Sequence, residues 1–150
     1  MIIHPVEGQL NDEINNQGKE VLNQSEISLS DKLINEKIEE SKLYIRSNMS
    51  NKKQMAVEQM WDAFERLKTL YGENKKTSAD KLIKTVSNNS RTIKELLEKE
   101  FKDLTKIGNE FHIRHFENDR VPLESDEFRE YLYFRMLTLI SYCLNSLENS

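Results

Sequence analysis

An all-α domain, built as a single bundle of four to five helices, is what this 150-residue sequence predicts, and three observations carry that reading. Apolar residues recur at helical spacing over several long stretches. Those stretches are separated by short polar segments rich in capping residues. Turn formers are scarce, with only four Gly and two Pro. A hydrophobic share of 37% beside a charged share of 32% suits packed amphipathic helices better than a β-sandwich, which needs many turns. A chain of this length is expected to bury roughly 68–70% of its unfolded surface, enough for one domain with a real core.

Residues 1–29, rich in Asn, Gln, Glu and Ser, show no defensible periodicity and read as a weakly ordered arm or linker, with residues 30–150 forming the bundle. Ser30 and Asp31 suit an N-cap and an acidic first turn, and Ile34, Ile38, Ser41 and Ile45 then share one face of a first helix over about 31–47. Asn51 with Gln54 resembles a capping box ahead of Val57, Met60, Trp61, Phe64, Leu67 and Tyr71, which predicts a second helix over about 52–71. Gly72-Glu73-Asn74 closes it.

Thr77 to Asp80 opens a short third helix carrying Leu82, Ile83 and Val86, ended by the polar run 87–90. Thr92 with Glu95 forms a second capping box, and Ile93, Leu96, Leu97, Phe101, Leu104, Gly108 and Phe111 line the apolar face of a fourth helix reaching about 113. Gly108 costs about 1 kcal/mol against Ala in a helix interior, so close approach of a neighbouring helix is its expected compensation. A loop from near Phe116 is closed by Pro122, and Ser125 caps a fifth helix with Asp126 and Glu127 in its first turn. From Tyr131 to Leu144 this helix is apolar nearly all round, so it is either the centre of the bundle or the carrier of a dimer interface as well.

The formal net charge of −4 argues against a general nucleic-acid-binding surface, though not against a local basic pocket. A lone cysteine, Cys143, in an apolar stretch reads as a buried thiol in a reducing compartment. The N-terminus lacks a signal-peptide pattern, and the longest apolar stretch is too short for a bilayer and contains Arg135. The expected location is cytoplasmic, with no membrane association.

No phosphate-binding glycine loop, Cys-x-x-Cys, nucleophile elbow or zinc-protease motif occurs. What remains is a dense polar cluster from Lys106 to Arg120. On a helix continued to 115, Leu104, Gly108, Phe111 and His115 share the core stripe, while Lys106, Glu110 and Arg114 form a solvated ladder. His115 then reads either as a core-edge histidine bonded to a neighbouring acceptor or as a functional group. In the functional reading Arg114 is a fixed cation for a phosphate, and His115 or His112 is the general acid or base. A metal reading on His112, His115 and Glu117 lacks a second ligand cluster, so no metal and no cofactor are expected. The outer charges Asp62, Glu65, Arg66 and Lys68 read as a solvated face, unless one carboxylate pairs with Arg135.

Ala56-Val57-Glu58-Gln59-Met60-Trp61-Asp62-Ala63-Phe64-Glu65-Arg66-Leu67-Lys68-Thr69, together with Ile107-Gly108-Asn109-Glu110-Phe111-His112-Ile113-Arg114-His115-Phe116-Glu117, resembles bacterial helical domains of abortive-infection type, which are similar to the HEPN superfamily. The likeness spans about residues 31–147. It implies a four- or five-helix bundle that dimerises through its motif-bearing helices, and often a metal-independent RNase used in phage defence or toxin–antitoxin systems. Arg114-His115 matches the opening of the superfamily motif, but positions 118–121 are Asn-Asp-Arg-Val, and the closing histidine is missing.

Two readings follow. In the first, the domain is a homodimeric endoribonuclease with Arg114 on the phosphate, His115 and His112 in acid–base roles, and Asn109, Glu117 and Arg120 binding or orienting. In the second, it is a non-catalytic dimerisation module, or one that binds a nucleotide, RNA or a partner, with a degenerate motif. A partner protein or an additional domain docked through the arm fits either.

Overall fold

The computed structural model describes residues 25–111, 113, 123 and 125–149. Five helices make up the described chain: α1 Ser25–Ile45, α2 Ser50–Leu67, α3 Lys75–Val86, α4 Arg91–Phe111 and α5 Asp126–Glu148. The all-α bundle is as expected. Residues 1–24 of the expected arm, and the expected loop from Phe116 to Pro122, lie outside the described residues.

α1 and α2 form the most extensive helix pair, joined by a four-residue turn at 46–49 and therefore antiparallel. The face foreseen on α1 is buried throughout: Ile34, Ile38, Ser41 and Ile45 all lie in the interior. Its start is not where the capping residues suggested. Ser30 and Asp31 sit inside the helix, which begins at Ser25. The run Ser25 to Ser30 contains no Gly or Pro to stop a helix nucleated by the packed residues downstream, so propagation continues past a merely acceptable cap.

Asp31 consequently has no helix end to serve. Its carboxyl is largely buried, and Oδ1 has no hydrogen-bond partner among the described residues. Burial, reinforced by the nearby carboxylate of Glu148, raises its pKa to about 7.

The first predicted capping box fails for a related reason. α2 starts at Ser50 from Met49, which makes no side-chain cap. Gln54 instead donates to Glu58 (3.2 Å) and accepts from Arg129 of α5 (3.0 Å). Lys53 Nζ donates to the Ile45 carbonyl (2.9 Å), so a side chain of α2 satisfies the C-terminal end of α1. Val57, Met60, Trp61, Phe64 and Leu67 are buried as expected, but the helix ends at Leu67 and Tyr71 lies in the turn beyond it.

Two more helix starts move. Asn74, expected to end α2, is the N-cap of α3, with its side chain accepting from the Thr77 amide at 3.0 Å. Ser90, not Thr92, caps α4 by accepting from the Ile93 amide at 3.2 Å, while Glu95 pairs with Arg91 at 3.1 Å. The turn before it is made by Asn88 and Asn89, both in the left-handed region that Asn tolerates.

α5 is the centre of the bundle. Leu132, Tyr133, Met136, Leu137, Ile140, Cys143 and Leu144 are all buried, and the helix packs on α1, α2 and α3. Tyr133 Oη meets Ser41 Oγ at 2.8 Å in the interior, and Ser41 also donates to the Ile38 carbonyl at 2.7 Å, so both buried hydroxyls are satisfied. Burial pushes the Cys143 thiol up to about 12, which keeps it protonated and unreactive.

α4 docks by a different device. A Cβ at Gly108 would fall inside the indole ring of Trp61, so the expected close neighbour is a side chain lying flat on the helix. Trp61 packs in turn at a tilt on Phe64 (5.4 Å between centroids, 49° between planes), and Phe64 on Phe101 of α4 (5.5 Å, 37°). Lys68 covers this cluster with its ammonium 4.6 Å from the Phe64 ring, donating to Thr105 of α4 and paired with Glu65. Burial disfavours the charged form of Glu65, but Lys68 and Lys75 outweigh it and hold its pKa below the ordinary value.

Gly108→Ala should lower stability by about 1–3 kcal/mol despite the better helix propensity of Ala, because the indole must move. A urea midpoint at or above that of the parent would show that Trp61 is not seated there. Asp31→Asn should act through pH with a worked sign. The folded pKa lies near 7 and the unfolded one near 4, so the native state holds the extra proton and loses stability as pH rises through that window. The variant should therefore match the parent near pH 4 and exceed it by on the order of 1–3 kcal/mol above pH 7, read by denaturant titrations at both ends.

Candidate functional site

The polar cluster singled out from the sequence begins where α4 ends. α4 stops at Phe111, so the helix does not run on to 113 or 115 as the stripe reading required. The Ile113 amide donates to the Gly108 carbonyl at 3.2 Å, a five-residue-back bond of the kind that terminates helices, and the Ile113 side chain is buried. An apolar side chain fixed in the core immediately past the last helical turn ends α4 there.

Asn109 lies exposed on the last turn of α4, beside the exposed Glu110. His112, Arg114, His115, Glu117 and Arg120 lie outside the described residues. The described residues next to them in sequence, Ile113 and Leu123, are both buried.

Leu123 is held by an arginine that sequence reasoning missed. Arg129 donates through one terminal nitrogen to the Leu123 carbonyl, through the other to Asp126 Oδ1 (2.8 Å), and through Nε to Gln54 Oε1 of α2 (3.0 Å). Five N–H donors in a planar fork suit this three-way role, which a lysine could not reproduce. Ser50 of α2 donates to the other oxygen of Asp126 (3.1 Å). Ser125 caps α5 as expected, accepting from the Phe128 amide at 3.1 Å. Nothing in the one-dimensional pattern distinguishes Arg129 from any charged residue in the first turns of a helix.

Phe111 at the end of α4 packs on Phe128 at the start of α5 (5.8 Å between centroids), and Phe128 on Tyr131 (5.9 Å). This aromatic contact brings the two helix ends that bracket the segment together. Chemically, the described part of the site is the Arg129 clamp and the aromatic contact, with the carboxylates of Glu110 at the end of α4 and Asp126 at the start of α5. Among the described residues no three His, Cys, Asp or Glu side chains gather in a way that could hold a metal ion.

Of the four charges expected to be merely solvated, Arg66 is exposed, whereas Asp62, Glu65 and Lys68 are paired. Asp62 meets Lys37 at 3.2 Å, and Glu65 meets Lys68 and Lys75. Arg135 does find a carboxylate, but on α4 and not α2. Its Nε and a terminal nitrogen reach the two oxygens of Glu100 at 2.9 and 2.6 Å, and this partner keeps the guanidinium firmly charged. α4 lies beside the outer face of α5, where Arg135 emerges, whereas Asp62 and Glu65 are taken by α1 and the α2–α3 turn.

The described residues form an all-α bundle in which Ile113, just past α4, and Leu123, just before α5, are buried. No known family model, curated protein or solved structure matches the chain. Among the described residues, no helix is long and apolar enough to cross a membrane.

Arg129→Met keeps the stem but removes all three bonds, leaving the Leu123 carbonyl and Gln54 without their donor. It should cost about 1–3 kcal/mol in urea unfolding. A loss below about 0.5 kcal/mol would mean that the clamp contributes little.

Proposed function

We propose that the chain is a HEPN-like, defence-associated domain that cleaves RNA without a metal ion, working as a homodimer. The observation that supports the reading is at the described residues next to the pair in sequence: Ile113, directly before it, is buried, and Leu123, further on, is buried and held by Arg129. A catalytic pair needs a fixed backbone close by, because misplacement by about 1 Å can cost a hundredfold in rate.

In this reading Arg114 neutralises the scissile phosphate. His115 or His112 takes the proton of the ribose 2′-hydroxyl as that oxygen bonds to phosphorus. The bond from phosphorus to the 5′-oxygen breaks, the leaving oxygen takes a proton from the acid, and the products are a 2′,3′-cyclic phosphate and a free 5′-hydroxyl. Asn109, Glu117 and Arg120 bind or orient. The working location is the cytoplasm, and the single cysteine, buried and held as a thiol, supports a reducing setting.

A second reading, a non-catalytic binding or dimerisation module, is favoured by the missing histidine at 118–121. One assay separates the two. The purified chain should degrade RNA equally with and without chelator, and replacing Arg114 and His115 together by Ala should lower cleavage by about a hundredfold or more with helix content unchanged. Cleavage that persists undiminished in the double variant, or that the parent never shows, overturns the nuclease reading.

A further inference from the structure

The N-terminal end of α1 meets the bundle through a carboxyl group. Among the described side chains of this helix, Asp31 is the first turned inward, ahead of the buried Ile34, while Lys32 and Leu33 between them are exposed. An apolar side chain at this position would dock the end as Ile34, Ile38 and Ile45 dock the rest. A carboxylate docks it only at the cost of its own hydration.

Among the described residues, nothing around Asp31 offsets that cost. Oδ1 is enclosed without a hydrogen-bond partner. From α5, the carboxylate of Glu148 in the last turn opposes its charge, beside a helix end whose carbonyls are themselves partly negative. From the turn between α2 and α3 it faces the Tyr71 phenol, whose ionisation Asp31 disfavours and whose hydroxyl bonds to Thr85 of α3. Lys81 of α3 lies over the face of the Tyr71 ring, 4.9 Å from its centre, and makes no hydrogen bond to Asp31 Oδ1.

We propose that the first turns of α1, from Ser25 to Leu33, are a proton-operated latch. They are docked while Asp31 holds a proton and come away from the bundle when it gives the proton up, with α1 from Ile34 onward staying in place.

The packing lets this end move alone. Ile34, Ile38, Ser41 and Ile45 keep the remainder of α1 in the core, in its extensive contact with α2. The turns ahead of Ile34 are short, and isolated helices under about 12–15 residues are marginal in water, so once undocked they unwind and hydrate the carboxylate. The docked carboxyl titrates near 7 and a solvated one near 4, so the docked end holds the extra proton between those values. Release therefore grows as pH rises through that window and levels off above it. Residues 1–24 continue from Ser25, so the proton decides whether their point of attachment is fixed. The stability effect of Asp31 then belongs to one end of one helix, and the nuclease reading plays no part in it.

Hydrogen exchange of the full chain, resolved by residue in NMR spectra and corrected for intrinsic rates, tests the latch. Protection of the amides from Leu29 to Leu33 should fall by about tenfold or more between about pH 5.5 and 8, while that of Ile38 to Ile45 is kept. Asp31→Asn keeps the shape of the side chain and cannot ionise, so it should hold the end at its acid-side protection throughout. A fall that spreads equally over all of α1, an end unprotected at both pH values, or a pH dependence that survives in Asp31→Asn overturns the proposal.

Discussion

The seat of the Trp61 indole on Gly108 governs where the C-terminal half of α4 lies. α4 has no extensive helix-to-helix packing on α1 or α2; it reaches the core mainly through the tilted rings of Trp61, Phe64 and Phe101 and the bare backbone at Gly108. Burying a ring of this size removes roughly 150–250 Å² from water, worth about 4–6 kcal/mol. Any side chain at 108 would lift the helix off the ring. The buried Ile113 lies five residues past Gly108 and bonds back to its carbonyl, so the ring contact and the end of α4 are tied together.

One consequence is that α4 is buried along its C-terminal half, while its N-terminal half, joined to α3 through the 87–90 turn, stays largely exposed. Arg135 and Glu100 mark the transition, tying α5 to α4 where the apolar contact gives out. A partly buried pair of this kind adds little net stability and holds two helices in one register, since breaking either partner leaves a charge without its counter-ion. Lys68 has a similar place one layer down, where Glu65, Thr105 and two aromatic faces satisfy an ammonium that would otherwise be costly to bury. Asp31 is the opposite case, a carboxyl whose Oδ1 has no partner among the described residues, and burial, with the nearby carboxylate of Glu148, raises its pKa.

Much of the core was legible in the sequence. Ile34, Ile38, Ser41 and Ile45 on α1, the five large apolar residues of α2, and the near-continuous apolar run of α5 all lie where their spacing put them. Helix starts were legible only in part. Ser125 caps as expected, whereas the boxes at Asn51 and Thr92 do not form, because Gln54 and Glu95 have better partners in Arg129 and Arg91. The end of α4 near Phe111 was legible within two residues, but the role of Arg129 was not, because its three acceptors come from positions 54, 123 and 126 and meet only in the folded chain.

By itself, the sequence determined the class of fold, the faces of the helices and the break after α4. Those follow from local periodicity, from the scarcity of Gly and Pro, and from the cost of continuing a helix toward Pro122. Only the tertiary structure decided that α1 extends back through Asp31 and that the indole of Trp61 fills the space at Gly108. It also decided that Arg135 pairs across to α4 and that part of the apolar face of α4 and α5 is left bare. Each of these depends on which helix lies beside which, and a spacing rule records the face a residue occupies without naming the neighbour that will meet it.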